Sequence, residues 1–125
     1  MILVAIGVAG AIGALARYGV SLAALRWLGN DFPYGTLYVN LIGCFLLGII
    51  VELTMEDRSL APQTRVIVGT GFLGAFTTFS TFGVDTYRAM EAGAWVLAVS
   101  NVAINVIGGL ALVAAGVALA SAIRS

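Results

Sequence analysis

The sequence predicts an all-α integral membrane protein with four transmembrane helices in one domain, residues 1–125. Of these residues, 61% are hydrophobic and 10% are charged, and the mean hydropathy is +1.06. A water-soluble domain of this length could not bury so much apolar surface, because the fraction of surface hidden on folding is limited by chain size. Four apolar runs each supply the roughly 20 residues that a helix needs to cross a bilayer.

The first apolar segment extends from about Ile2 to Leu28. It starts without a basic stretch, so we expect a retained helix and not a cleaved signal peptide. Residues 29–35, GNDFPYG, form a short turn-rich connection. The second segment extends from about Thr36 to Leu53.

The most polar stretch of the chain, residues 56–59, separates the second segment from the third. The third segment begins at Pro62, a favourable residue for the first turn of a helix, and extends to about Arg88. Residues 91–93 form a tight turn, and the fourth segment extends from about Ala94 to Ile123.

The run GTGFLGAFTTFSTF, residues 69–82, differs from a helix that only faces lipid. Gly69, Gly71 and Gly74 loosen the third helix, and we expect it to be broken in mid-membrane, around residues 74–77. Unwinding frees backbone carbonyl groups, each of which must find a partner in lipid. A bound cation such as Na⁺ would satisfy several of them together; a bridging water or a threonine hydroxyl is the alternative.

Two pairs of polar residues recur at the spacing i, i+4 inside apolar spans. Thr36 and Asn40 share a face of the second helix, and Asn101 and Asn105 share a face of the fourth. Lipid satisfies none of the amide donors. The pairs predict a polar track for a bound or permeating polar species; hydrogen bonds that only hold helices together are the alternative.

Rings and hydroxyl groups form neighbouring stripes at the end of the run if it is helical there. The rings recur at i, i+3 and i+6 and are those of Phe76, Phe79 and Phe82. The hydroxyl groups are those of Thr77, Ser80 and Thr81. An aromatic ring has a positive edge, so rings turned edge-on can contact an anion without a full charge. Packing in a core is the alternative for the rings.

Arg17 lies well inside the first span, where an arginine costs about 2.5–3.5 kcal/mol on insertion scales. We expect it to face a water-filled vestibule or an interhelical partner. Snorkelling is the alternative, and the end of the segment is about ten residues away, which makes it difficult.

The arginines near the ends of the spans are almost evenly divided between the two sides of the membrane. Arg58, Arg65 and Arg124 lie on one side, and Arg26 and Arg88 lie on the other. The positive-inside rule therefore does not select an orientation. Either the topology signal is weak, or the chain inserts both ways and two copies pair antiparallel.

Several classes of protein are excluded or disfavoured. The chain has no histidine, and its two carboxylates nearest the spans, Glu52 and Asp85, lie near helix ends, where we expect them to be solvated. We therefore predict that the protein is not an enzyme. A net charge of zero gives no indication of nucleic acid as a partner. Cys44, the single cysteine, is interpreted as a packing residue.

Three motifs, in order along the chain, resemble the small bacterial fluoride channels, the Fluc or CrcB family. They are GALARY at residues 13–18, GTLYVN at 35–40 and GFLGAFTTFSTF at 71–82. The resemblance covers essentially the whole chain. It implies an antiparallel, dual-topology homodimer in the inner membrane of a bacterium or archaeon. The dimer would conduct fluoride passively out of the cytoplasm through two pores and hold one structural Na⁺ at its axis.

The resemblance also assigns roles to residues of this sequence. Phe79 and Phe82 would be the pore rings, Asn40 the pore amide, and Gly74 and Thr77 the residues whose backbone carbonyls bind Na⁺. The expected pore residues are Thr36, Asn40, Phe79, Ser80, Thr81, Phe82, Asn101 and Asn105, with Arg17 in the vestibule.

Two features depart from the family pattern. Gly109 and Val113 stand where relatives often carry hydroxyl groups, and Asp85 stands where they often carry Glu.

Two other functions are compatible with four spans. A proton-coupled multidrug exporter needs a carboxylate in the first span, which has none. A non-transporting scaffold predicts that loss of the Asn40 amide leaves ion flux unchanged.

Overall fold

The residues that the structure describes form four helical spans, as the sequence predicts. The computed structural model describes residues 1–55 and 60–125. The spans are Ile2–Leu28, Tyr34–Thr54, Pro62–Glu91 and Trp95–Arg124, and each is long and apolar enough to cross a membrane. We name the first two α1 and α2 and the fourth α5. The predicted polar stretch and Arg58 lie outside the described residues.

The third span is broken, but not at its glycines. It consists of α3, residues 62–76, and α4, Phe79–Glu91. Between them Thr77 and Thr78 have extended backbones, with φ, ψ of −86°, 163° and −153°, 115°. The predicted break in mid-span is confirmed, whereas its predicted position around residues 74–77 is wrong, because Gly74–Phe76 is still helical.

Both of the last two spans contain wide helical turns. Within α3, Arg65–Leu73 has π-helical hydrogen bonding, so the Gly74 N–H reaches the carbonyl of Gly69. Within α5, Ile104–Gly108 also has π-helical hydrogen bonding, and the helix continues on either side. Such π-turns are frequent at functional sites.

Glycines allow the helix backbones to touch. A methyl group on Gly48 of α2 would overlap the Val113 carbonyl of α5, and one on Gly116 would overlap the Phe45 carbonyl of α2. In the same way, Gly13 of α1 lies against the Phe72 carbonyl of α3. Small residues drive this kind of close association in membranes, where the hydrophobic effect does not hold helices together.

Glu52 corrects one expectation, since its carboxylate is not solvated. The residue is 7% exposed at the end of α2. Its Oε1 accepts hydrogen bonds from Ser121 Oγ at 2.8 Å and from Arg124 Nη2 at 3.3 Å. A buried carboxylate needs such donors to offset its loss of hydration. Glu52 therefore ties the end of α2 to the end of α5.

Candidate functional site

The break in the third span is held by Asn40 of α2. The Thr78 backbone N–H donates to Oδ1 of Asn40 at 2.8 Å, and Nδ2 of Asn40 donates to the Thr78 carbonyl oxygen at 3.1 Å. One side-chain amide thus satisfies both backbone polar groups of Thr78, which has left the helix. Lipid could satisfy neither group.

A hydrogen-bonded chain of amides extends from Asn40 to α4. The second donor of Asn40 Nδ2 goes to Oδ1 of Asn105 at 3.0 Å. Asn105 Nδ2 donates to the carbonyl and to Oδ1 of Asn101, at 2.9 and 3.0 Å. Asn101 Nδ2 donates to Oγ1 of Thr86 at 2.9 Å, and Thr86 donates to the Phe82 carbonyl at 2.8 Å. The chain connects α2, α5 and α4.

The four polar residues expected to form a track differ in burial and in their hydrogen-bond partners. Asn40 and Asn105 are half-buried, whereas Asn101 is fully buried inside the hydrogen-bonded chain. Thr36 is 7% exposed and donates to Oδ2 of Asp85 on α4 at 3.0 Å. Asp85 is half-buried and not simply solvated as expected. The structure brings Asn40 and Asn105 into direct contact and places Thr36 one turn away, beside Asp85.

Thr78 begins α4 as its N-cap. Its Oγ1 accepts a hydrogen bond from the Thr81 backbone N–H at 3.2 Å, donates to Thr81 Oγ1 at 3.0 Å and lies 3.3 Å from Ser80 Oγ. Thr77 does not join this cluster, because its hydroxyl donates to the Leu73 carbonyl at 3.0 Å. The predicted hydroxyl stripe is therefore wrong at Thr77, and Thr78 takes its place beside Ser80 and Thr81.

Two phenylalanine rings lie beside these hydroxyl groups. The rings of Phe79 and Phe82 have centroids 5.5 Å apart and an interplanar angle of 50°. Phe82 is 9% exposed, whereas Phe79 is 83% exposed. Phe76, the third ring of the predicted stripe, is separated from them by the break and stacks on Phe72 instead, at 5.7 Å. The stripe is thus correct for two rings and wrong for the third.

An open groove of about 330 Å³ brings the rings, the amides and the break together. Its lining is mostly apolar, with the Asn40 and Asn105 amides and the two threonines of the break as polar groups. The residues that line it are Asn40, Gly43, Cys44, Leu47, Gly69, Leu73, Gly74, Thr77, Thr78, Phe79, Phe82, Asn105, Val106 and Val113.

The break redirects two backbone donors away from the carbonyls of Gly74 and Thr77. In a continuous helix these carbonyls would accept from the N–H groups of Thr78 and Thr81, four residues on. Here the Thr78 N–H donates to Asn40 and the Thr81 N–H donates to the Thr78 hydroxyl. Two carbonyl oxygens next to the groove are thereby released from their helical partners.

A second cavity, of about 540 Å³, lies near the end of the bundle where α1 ends and α2 begins. Thr36, Thr81, Asp85 and Arg88 are among its lining residues. Thr81 therefore belongs to the hydroxyl cluster at the start of α4 and also lines this cavity. We name this cavity the candidate vestibule.

Arg17, the predicted vestibule residue, is half-buried on α1. Within residues 1–55 and 60–125 it makes no hydrogen bond or ion pair, and it is not among the residues that line the candidate vestibule. Its role stays a prediction.

Sequence reasoning missed two residues, Thr78 and Thr86. Thr78 could have been found as an N-cap, since a threonine just before a helical segment is a common helix start. Thr86 could have been found from the helical hairpin of α4 and α5. It lies seven residues before Gly93 and Asn101 lies eight after it, so the two face each other across the turn.

The far end of the predicted track is apolar in this chain. Gly109 is buried, with Sγ of Cys44 3.2 Å from where its Cβ would lie, and Val113 lines the groove. Asn105 is therefore the polar residue that α5 contributes to the groove lining.

Comparisons with a family model and with individual proteins all identify the same family. The family model described as CrcB-like protein, Camphor Resistance (CrcB), matches residues 4–117. The Fluoride-specific ion channel FluC of Citrifermentans bemidjiense is 43% identical over 121 residues, which cover 97% of this chain and 98% of the relative. The Fluoride-specific ion channel FluC 2 of Listeria monocytogenes is 48% identical over 112 residues, covering 89% and 84%.

A third relative, the Fluoride-specific ion channel FluC of Shewanella loihica, is 47% identical over 105 residues, covering 84% of this chain and 82% of its own. The match to the family model includes all three motifs that carry the resemblance. With its four membrane spans and these bacterial relatives, the chain is a multi-pass membrane protein of the CrcB family.

Proposed function

We propose that this protein is a passive channel for fluoride and not an enzyme. One observation carries the proposal. In mid-span, two tilted phenylalanine rings lie beside hydroxyl groups and an amide at one groove, without a full charge among them. The relatives named as fluoride-specific channels support the same function.

The groups at the groove suit a small, strongly hydrated anion. The ring edges of Phe79 and Phe82 are positive, and the hydroxyls of Ser80 and Thr81, in the cluster next to the groove, are neutral donors. Such groups replace part of the hydration shell of fluoride without holding it so tightly that it cannot leave. We propose that the narrow pore completed by a second subunit excludes larger anions by fit. We propose that Thr36 and Thr81 connect the groups to the candidate vestibule.

The groove is open in a single subunit, and we propose that a second copy of the chain completes it. Phe79 is 83% exposed, and the hydroxyl-bearing Ser80 is exposed beside it. Lipid would cover the ring but would offer the hydroxyl no partner beyond Thr78 Oγ1, which lies 3.3 Å away. A partner subunit can supply both an apolar surface and polar groups, so a homodimer with two pores accounts for this exposure.

The two copies would pair antiparallel. Five of the six tryptophan and tyrosine residues lie toward the end of the bundle that holds the 29–33 connection: Trp27, Tyr34, Tyr38, Tyr87 and Trp95. Membrane proteins carry such residues at both interfaces. An antiparallel copy would place its own set at the opposite interface, and the nearly balanced arginines permit both orientations.

We propose further that the carbonyls of Gly74 and Thr77 hold a structural Na⁺. Their chemistry fits, because Na⁺ is a hard cation that prefers oxygen ligands and both carbonyls are released from helical hydrogen bonds. Two carbonyls from each of two subunits would supply four oxygens. The ion would contribute positive charge that offsets the exposed carbonyl dipoles and fastens the dimer. Arg17 would add cationic charge near a pore entrance.

Efflux from liposomes tests the channel function. Vesicles that contain the purified protein should release fluoride and retain chloride, and equal release of the two anions would refute selectivity. Phe79→Ile and Phe82→Ile should each abolish fluoride release while the protein stays folded, because isoleucine keeps the apolar bulk but has no ring edge. Phe72→Ile, on α3 and away from the groove lining, is the matched control and should conduct.

A further inference from the structure

Both N–H groups of the Asn40 side chain are already donated. One goes to the Thr78 carbonyl at 3.1 Å, and the other goes to Oδ1 of Asn105 at 3.0 Å. An amide nitrogen has two N–H groups. If Asn40 is the pore amide of the proposed channel, one of these bonds must open when fluoride arrives.

The orientation of the two amides is fixed by the backbone. The Thr78 N–H requires an acceptor, so Asn40 must present Oδ1 to Thr78 and can offer only Nδ2 to Asn105. Asn105 must then present its own Oδ1 to Asn40, and its Nδ2 points to Asn101. The atom that faces the Asn40 donor is therefore an acceptor, which is also the chemical role of a fluoride ion.

Of the two hydrogen bonds that Asn40 Nδ2 donates, we expect the one to Asn105 to open. The bond to Thr78 belongs to a two-bond pairing with the backbone, and opening it would expose both polar groups of Thr78. The bond to Asn105 is a single contact between side chains. Asn105 stays anchored through Nδ2 to Asn101 when its carbonyl oxygen withdraws, and both Asn40 and Asn105 line the groove.

We infer that Oδ1 of Asn105 is a stand-in acceptor, which fluoride displaces at the Nδ2 group of Asn40 and which returns when the ion leaves. The inference rests on the proposed channel function. It explains how a donor can be kept satisfied in mid-membrane between ions and still be available to each of them. Competition from the stand-in also weakens fluoride binding, as rapid conduction requires.

Side-chain amide NMR of the full-length channel tests the exchange. The chain has four asparagines, Asn30, Asn40, Asn101 and Asn105, so selective ¹⁵N labelling gives few signals to assign. Fluoride should shift one Nδ2 proton of Asn40 and split it by coupling to ¹⁹F, and it should shift the Asn105 amide. Asn30, in the loop after α1, should show no coupling to ¹⁹F, and chloride should leave all four unchanged.

Unchanged Asn40 and Asn105 signals in a protein that releases fluoride from liposomes would overturn the inference. Failure of the wild-type protein to release fluoride would instead refute the proposed function. The two failures are therefore distinguishable in one preparation.

A variant provides the second test. Asn105→Ala removes the stand-in, while the backbone pairing with Thr78 keeps Asn40 in place. The fluoride concentration for half-maximal efflux should fall several-fold, and Ser100→Ala, on the same helix as Asn105 but outside the amide chain and the groove lining, should leave it unchanged. An unchanged half-maximal concentration in an active Asn105→Ala channel would contradict the stand-in.

Discussion

The third and fourth spans contain the same kinds of residues, but only the third is broken. Each contains a π-helical segment, glycines and polar side chains within an apolar run. The third span is interrupted at Thr77 and Thr78, whereas the fourth continues through Gly108 and Gly109. Glycine content therefore does not decide whether a membrane helix breaks here.

The difference lies in where the competing hydrogen bonds come from. In the third span, Asn40 on another helix takes both backbone groups of Thr78. In the fourth span, Asn105 donates to a carbonyl one turn earlier in its own helix, a bond that is compatible with the helix. A helix breaks in mid-membrane where a neighbour offers a complete substitute for its backbone hydrogen bonds.

Asn40→Leu is expected to have the largest effect, because it removes that substitute. Two backbone groups of Thr78 would lose their partners, and each buried polar group left unsatisfied costs about 1–3 kcal/mol. The protein should lose at least about 2 kcal/mol of stability and release no fluoride. Unfolding in detergent and liposome efflux measure the two effects, with Asn30→Leu in the loop as control. A wild-type melting temperature in Asn40→Leu would contradict our account of the break.

Gly43→Ala should have the next largest effect. A methyl group on Gly43 would overlap Cγ2 of Thr77, so α2 could not lie this close to the break. Overpacking of this kind costs about 1–3 kcal/mol. Gly108→Ala in the fourth span is the matched control, since its methyl group would meet side-chain atoms at 3.3 and 3.8 Å. Equal thermal stability of the two variants would remove Gly43 from the explanation.

Thr78→Ala should reduce stability by about 1 kcal/mol, through loss of the N-cap of α4. The hydroxyl accepts from the Thr81 N–H and also holds the Thr81 hydroxyl, so fluoride efflux should fall as well. Thr78→Ser keeps the capping oxygen and should preserve both properties. If serine and alanine behave alike in unfolding and efflux, the cap has no role.

Thr86→Val should have the smallest effect, because it leaves the break untouched and only weakens the link between α4 and α5. Interhelical hydrogen bonds in membranes contribute about 0.6 kcal/mol on average. Asn101 would lose the acceptor for its Nδ2 group. Detergent unfolding should show a decrease of this size, and a decrease as large as that of Asn40→Leu would mean that the amide chain, and not Asn40 alone, holds the break.

The sequence was sufficient to predict the spans and the identity of the ring pair. Predicted and observed ends of the spans agree within a few residues, because apolar run length and turn residues are local properties. The resemblance to the family singled out Phe79 and Phe82, which obey the i, i+3 spacing and lie in one uninterrupted helix. Phe76 obeyed the same spacing but lies before the break.

The position of the break and the burial of Glu52 could not be predicted in this way. The break depends on Asn40, 38 residues from Thr78. The burial of the Glu52 carboxylate depends on donors from Ser121 and Arg124, 69 and 72 residues away. Pairings between distant segments follow from helix packing, which local patterns do not specify.

The pairing of Asn40 with Thr78 places a fragment of β-sheet inside a helical membrane protein. Thr78 has the backbone conformation of a strand, and the amide of Asn40 meets its N–H and C=O with one acceptor and one donor, as the C=O and N–H of one residue on an antiparallel strand would. Open strand edges do not occur in lipid. A single asparagine closes this edge, because its side-chain amide presents an acceptor and a donor side by side. Aspartate lacks the donor and glutamine is one methylene longer, so asparagine alone matches the geometry at this position.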